Sequence, residues 1–208
     1  MFYRPGQEYH DLPRNPFNAL IVPRPIGWIS SLAPDGTANL APYSFFNGIS
    51  YTPPQVMFST GQRPHAKGEP HEPKDSQINP EATGDFVCNM ATWDLREAMN
   101  MSAEHVPPGV DEFKHAGLTK APSETVKSPR VAESPIHLEC RYLQSVTTKT
   151  REGYGANVLI IGEVVGIHID DAVLTNGFVD MDKVRPIGRL GYMDYVTVDD
   201  VWTMLRPD

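Results

Sequence analysis

Twenty prolines and sixteen glycines are spread through 208 residues, and they cut the chain into segments too short for long helices. Proline removes a backbone donor and breaks a helix interior, and glycine in such an interior carries an entropic penalty. Few stretches are left that hold a helix beyond three turns, so short strands must supply most of the regular structure. Ile26 to Leu32 sets Ile26, Trp28 and Ser30 against Gly27, Ile29 and Ser31, the two-residue period of a strand. Pro34-Asp35-Gly36 predicts a tight turn, because proline presets φ and glycine accepts positive φ, and Thr37 to Ala41 returns as the hairpin partner. Ser44 to Gly48 reads as a polar-aromatic loop. Val56 to Ser59, Phe86 to Met90, His137 to Val146, Val158 to Ile169 and Tyr192 to Val198 read as further strands, with Glu152 to Gly155 turning between the two longest.

Three helices are expected. Asp94 and Glu97 make a capping-box pattern ahead of Ala98 and Met99. Asp111 to Ala116 is stopped by Gly117, and Ser76 to Ala82 is interrupted by Pro80. Short strands in a run with isolated helices predict a mainly β fold, a β-barrel carrying a few peripheral short helices. The βαβ rhythm of a parallel sheet is absent. The polar, proline-rich stretch from Gln62 to Pro73 reads as an exposed loop, and neither it nor the irregular region from Pro107 to Pro135 separates two domains. A single domain over residues 1–208 is expected.

Charge and composition narrow the partners. Lys and Arg number 18 against 26 Asp and Glu, a net −8 that argues against duplex nucleic acid or an anionic membrane. No apolar run approaches the about 20 residues that span a bilayer, and the amino terminus lacks the apolar core of a secretory signal. Cys88 and Cys140 sit inside strand-like apolar segments and read as reduced core thiols, so a cytoplasmic location is expected.

The common nucleotide and hydrolase fingerprints are missing: a glycine-rich dinucleotide turn, a Walker loop, a nucleophile elbow, a Cys-x-x-Cys pair and a zincin helix. Ser44-Phe45-Phe46-Asn47, Ser59 and Lys74-Asp75-Ser76 remain. A phosphate dianion wants hydroxyl and backbone donors plus a cation, which Ser59, Lys74 and a helix start at Asp75-Ser76 can supply. Trp28, Phe45 and Phe46 can wall a flat heterocycle such as an isoalloxazine ring, with Asn47 reading its polar edge. The same residues also read as a strand end, a helix cap, a solvated lysine and an aromatic core. On the strand from Val158 to Ile169, Gly162 and Gly166 leave room for a ligand or another backbone, and His168 stands at the edge of that gap as a substrate contact or a structural histidine. His65 and His71 flank acidic residues in the polar loop, without the rigid spacing that a metal requires, and no metal is expected.

Taken in order, several runs resemble the flavin reductase-like family of FMN-binding split barrels. They are Arg24-Pro25-Ile26-Gly27-Trp28, the Asp35-Gly36 turn, Asn39 to Asn47, Pro53-Pro54 before Val56 to Ser59, Lys74 to Asn79, Asp85 to Asn89, Asp111-Glu112-Phe113, Gly162-Glu163 through His168, and Arg185-Pro186 with Arg189-Leu190-Gly191. The resemblance covers about Arg24 to Tyr195. It implies a Greek-key split β-barrel that forms a homodimer, with FMN near the dimer interface. Ser44, Phe45, Phe46 and Asn47 would line the ring and ribityl chain, and Ser59, Lys74, Asp75 and Ser76 would face the phosphate. Arg24 and Trp28 would be further cofactor contacts, His168 the catalytic candidate beside a nicotinamide, and Arg189 close to the same pocket. The implied activity is hydride transfer from NADH or NADPH to the flavin, with a partner oxygenase or another acceptor taking the electrons. An FMN-binding electron carrier without a nicotinamide site, and a barrel that has lost its flavin, are the alternatives. One departure is visible: the family's link between the serine strand and the Lys-Asp motif is often short, and here Gln62 to Pro73 lengthens it.

Overall fold

A computed structural model describes residues 1–63, 71–107 and 109–207. Its main sheet has seven antiparallel strands: β1 (Gly27–Leu32), β2 (Ala38–Tyr43), β3 (Phe46–Tyr51), β4 (Pro54–Thr60), β5 (Asp85–Met90), β6 (Ile136–Thr147) and β7 (Val158–Ile169). They lie in the order β2-β1-β5-β6-β7-β4-β3. The two edge strands, β2 and β3, are consecutive in the chain and joined only by Ser44 and Phe45. Six strand spacings in a flat sheet would separate those edges by roughly 29 Å. The three peptide steps from Tyr43 to Phe46 reach at most about 11 Å. The sheet must therefore curl until its edges come together, and the Ser59 amide, donating to the Phe45 carbonyl at 2.8 Å, carries the β3–β4 ladder up to that two-residue link.

Curling creates two cores. Tyr43, Phe58 and Phe86 belong to strands that are not sheet neighbours, yet their rings meet at 5.1 and 5.4 Å across the barrel interior. Ile29, Val56, Cys88, Cys140 and Ile160 fill the space around them. Both cysteines are free thiols there, and burial pushes the Cys140 thiol up. On the outer face of β1 and β2, Trp28, Ala38 and Leu40 pack beneath α2 (Arg96–Met101) and α3 (Glu112–His115), with Met99, Phe113 and Ile187.

β7 has the two end residues expected of it, whereas the strand expected over Tyr192 to Val198 is confined to Tyr195–Thr197, in a separate three-stranded sheet, because Tyr192 takes a positive φ of 55° ahead of it. Three further local expectations need correction. Ser44 to Gly48 is not one loop, because Phe46 begins β3 and pairs with Phe58, and Asn47 pairs with Met57. Weak local propensity at Asn47 and Gly48 is overridden by pairing with β4. The capping box does not form: α2 begins at Arg96 with no side-chain cap, and Asp94 lies 4.0 Å from Arg185 instead. A turn closed by the Leu95 amide on the Thr92 carbonyl comes first and moves the helix start past Asp94. Pro80 does not interrupt α1 (Asp75–Thr83). It forfeits one helical hydrogen bond, and its ring is buried with Ser76 and Asn79.

Gly162 and Gly166 do make room, but for the protein itself. A methyl group at Gly162 would lie 2.5 Å from Phe86 Cζ, and one at Gly166 would lie 3.3 Å from Glu139 Oε2. His137, next in the same region, is 3% exposed. Its Nε2 is 2.8 Å from the Val131 carbonyl, so that nitrogen carries the proton, and Nδ1 is buried without a partner among the described residues. Burial holds the imidazole down to about 4 from its ordinary 6.5. The folded chain thus keeps His137 neutral where the unfolded chain takes up a proton. Stability is complete above pH 6.5 and falls by about 3 kcal/mol as pH drops from 6.5 to about 4. Denaturant midpoints at pH 7 and pH 4.5 should differ accordingly, and His137→Gln should flatten the difference. A slope unchanged by that substitution would assign the acid lability to other groups.

Candidate functional site: a cleft at the start of α1

The long link after β4 is closed at its base. Gln62 bridges to Pro73, and the Arg63 amide donates to the Glu72 carbonyl at 2.8 Å. The chain therefore returns beside the end of β4 before Lys74. His65 and the middle of the loop lie outside the described residues. His71 is described, and among the described residues no group of three or more His, Cys, Asp or Glu side chains is placed to hold a metal.

Lys74 is the N-cap of α1, and its carbonyl accepts from the amides of Gln77 and Ile78. It borders a cleft of about 350 Å³ walled by Tyr43, Arg63, Asp75, Ser76, Glu112 and the segment from Ser102 to Val106, where the carboxylates of Asp75, Glu104 and Glu112 share the lining with Arg63 and Lys74. Arg63 is anchored by Nε on the Pro73 carbonyl at 3.0 Å and by Nη2 on Asp75 Oδ1 at 2.5 Å. Burial lowers the Lys74 pKa, and the Arg63 charge lowers it further. Two cations are thus held beside one another at a helix N-terminus, where backbone donors already favour an anion.

The floor of the cleft is a buried polar network. Ser76 Oγ donates to Asn39 Oδ1 at 2.9 Å, and Asn39 Nδ2 donates to Glu112 Oε1 at 2.9 Å. Glu112 Oε2 accepts from the Leu40 amide at 3.2 Å, so α1 and α3 are both tied to β2. Burial raises the Glu112 carboxyl, and burial likewise raises the Tyr43 phenol, which lies beside Ser76 and Thr60.

Of the predicted residues, Lys74, Asp75 and Ser76 share this cleft, and Ser44 to Asn47 continue from its Tyr43 wall. Ser59 is half-buried on β4 and is not among the walls; strand alternation puts Thr60, its neighbour, on the side of Tyr43. Phe46 packs on Gly27 inside the barrel seam, and Asn47 is exposed on edge strand β3. Trp28 is wholly buried, with Nε1 donating to Ser102 Oγ at 2.9 Å, so its ring offers no open face. Arg24 is a clamp. Its guanidinium donates to the carbonyls of Asn18, Ile21 and Leu190 and to Ser44 Oγ, and stands 5.9 Å from the Phe45 ring. Arg189 pairs with Arg24 in register but lines a different cavity.

His168 also stands elsewhere. Thr60 is opposite Val158 at one end of β7, and His168 is ten residues on, about 33 Å along the strand. Its Nε2 lies 2.5 Å from Oε1 of Glu139, a carboxylate with no exposed surface. Burial alone would raise that carboxyl. Donors from Thr125 Oγ1, the Glu124 amide, His168 and the Thr125 amide outweigh it and hold it at about 2. Arg63 is the cleft residue that sequence reasoning missed. It reads as part of a polar loop until the Gln62–Pro73 bridge places it beside Lys74.

An uncharacterised protein of Aquifex aeolicus is 40% identical over 178 residues, covering 85% of each chain. Component B of nitrilotriacetate monooxygenase from Bacillus cereus has a TM-score of 0.87 at 28% identity, covering 98% of both chains. The 2-nitrobenzoate 2-nitroreductase of Pseudomonas fluorescens has a TM-score of 0.77 at 25% identity, covering 92% of this chain and 88% of the other. A Shewanella frigidimarina protein with a split barrel domain, at 22% identity and a TM-score of 0.77 over 92% and 90% of the two chains, shares the fold. With the curled seven-stranded sheet, the cleft at Lys74 and a match of residues 19–188 to the flavin reductase like domain, this chain belongs to the flavin reductase-like family of split barrels.

Proposed function

We propose that this chain is an FMN-dependent oxidoreductase of the flavin reductase type, one domain over residues 1–208 that uses NADH or NADPH. The observation that carries the reading is the Arg63–Lys74 pair at the start of α1, held together in a half-buried cleft. A phosphate dianion relieves the repulsion between them, and the donor set suits it: two cations and the first backbone amides of a nine-residue helix, from Asp75 and Ser76 onward. Ser44 to Asn47 remain the residues proposed for the ring and ribityl chain. In support, β3 is a sheet edge, and backbone groups that point away from β4, at exposed Gly48 next to Asn47, are available to a heterocycle's polar rim. Bound FMN would supply the redox chemistry, accepting a hydride and passing electrons on. The chain's own part is to neutralise the phosphate with Lys74 and Arg63, to hold Arg63 in place through Asp75, and to tie α1 and α3 to β2 beneath the cleft through the Ser76–Asn39–Glu112 network.

A homodimer completes this proposal. Leu20, Trp202, Met204 and Leu205 are each at least 70% exposed, which fits a covered face. His168 can serve beside the nicotinamide only if the second copy brings it to the cleft. The similarity to a monooxygenase component B supports a partner oxygenase as one electron acceptor. Among the described residues no helix is long and apolar enough to cross a membrane, and the free core thiols suit the cytoplasm. Under anaerobic conditions the FMN-loaded protein should lose its oxidised-flavin absorption band on adding NADH or NADPH. A yellow protein that neither nucleotide bleaches would be an electron carrier, and one that takes up no FMN would overturn both readings.

A further inference from the structure

A second cavity, of about 380 Å³, opens between α2 and the small sheet formed by Ile187–Arg189 and Tyr195–Thr197. It shares no wall with the cleft at Lys74. Its walls combine flat apolar surface with cations: the rings of Trp93 and Tyr195, the side chains of Met99 and Met193, and the guanidiniums of Arg96 and Arg189. Each guanidinium is stacked on a ring. Arg96 lies 4.0 Å from the Trp93 centroid, and Arg189 lies 4.3 Å from that of Tyr195.

Stacking covers the face of an arginine and leaves its in-plane N–H groups free to bond. Arg96 Nη1 donates to the Trp93 carbonyl at 2.7 Å, and Arg189 Nη2 donates to the Tyr192 carbonyl at 2.6 Å, which fixes both planes. Among the described residues nothing is bonded to Nη2 of Arg96, or to Nε and Nη1 of Arg189. Glu97 approaches Arg96 Nε at 3.5 Å, but its side chain is 84% exposed and offers a screened, weak partner. The cavity sets two cations against one lining carboxylate, Glu97, in a chain of net charge −8.

We propose that this cavity binds a planar aromatic carboxylate, its ring against Trp93 and Tyr195 and its carboxylate on the open N–H groups of Arg96 and Arg189. A neutral aromatic would not engage the remaining N–H groups of either guanidinium, and inorganic phosphate would not use the apolar surface of the walls. The volume suits one or two fused rings. The site is independent of the flavin cleft, so its success or failure says nothing about FMN.

Calorimetric titration of the full chain with 2-naphthoate, with and without FMN, tests this. A dissociation constant below about 1 mM is expected in both cases. 2-Naphthamide lacks the charge and inorganic phosphate lacks the ring, and each should bind at least about tenfold more weakly. Arg96→Gln and Arg189→Gln should each weaken 2-naphthoate by about tenfold or more, with unchanged unfolding temperatures showing that the variants are folded. Absence of binding, equal affinity for the amide or for phosphate, or folded variants that bind as well as the parent would each overturn the proposal.

Discussion

Lys74→Glu is expected to weaken FMN binding by at least about a hundredfold while leaving riboflavin binding nearly unchanged. The two ligands differ only in the phosphate, so the comparison isolates the contact. The substitution does two things at once: it removes a charge-assisted hydrogen bond, and it places a carboxylate where the dianion would sit. Lys74 also lies close enough to Arg63 for that charge to lower its pKa, so a bound phosphate stabilises both cations and the loss should exceed that of an exposed pair. Arg63→Gln should act in the same direction by about tenfold, since the neutral amide adds no repulsion. The fold should tolerate both changes, because neither side chain belongs to a core. Equal losses for FMN and riboflavin would place the phosphate elsewhere.

Glu139→Ala should cost about 3–5 kcal/mol of unfolding free energy, the largest single loss expected from a polar residue here. The carboxylate has no exposed surface and accepts from the Glu124 amide at 2.8 Å, the Thr125 amide at 2.6 Å, Thr125 Oγ1 at 2.5 Å and His168 Nε2 at 2.5 Å. Alanine leaves those donors facing a void. Glu139→Gln keeps the shape and an acceptor but loses the charge, so a smaller loss is expected, in denaturant titrations at pH 7. His168→Ala should cost less than either, because the remaining donors still satisfy the carboxylate and the imidazole is partly solvated. If His168→Ala proved the most damaging, the imidazole rather than the carboxylate would be the centre of the network. The folded-state value of about 2 also means that this contribution is present above pH 4.5 and is lost as pH falls from there towards 2.

These two residues mark how far the chain was legible before its structure. Lys74 was recognisable because a cation, an acid and a hydroxyl at a helix start have a local chemical meaning. Its partner Arg63 was not, since eleven positions separate them and only the Gln62–Pro73 bridge joins them. Glu139 lies mid-strand and carries no signal in its immediate sequence; its donors come from the loop at Glu124 and Thr125. The glycines of β7 were rightly read as making room, but what fills the room, Phe86 at one and Glu139 at the other, is decided across the sheet. Trp28 shows the opposite limit. Alternation placed it on one face of β1, and only the packing of α2 against that face turned an aromatic surface into core.

Proline and glycine spacing, strand alternation and the turn at Pro34-Asp35-Gly36 determined on their own that the chain is built of short strands with peripheral helices. Those signals are local, set by backbone sterics within a few residues, and they survive in any context. The ordered motifs from Arg24 to Tyr195 were likewise enough to point to the family. Tertiary structure alone decided that β2 and β3 meet to close the barrel, that Arg63 joins Lys74, that Arg189 and His168 leave the cleft, and that Arg24 is a clamp. Each of those outcomes depends on which distant segments share a surface. Burial and charge act through space, and the one-dimensional order of residues does not contain those distances.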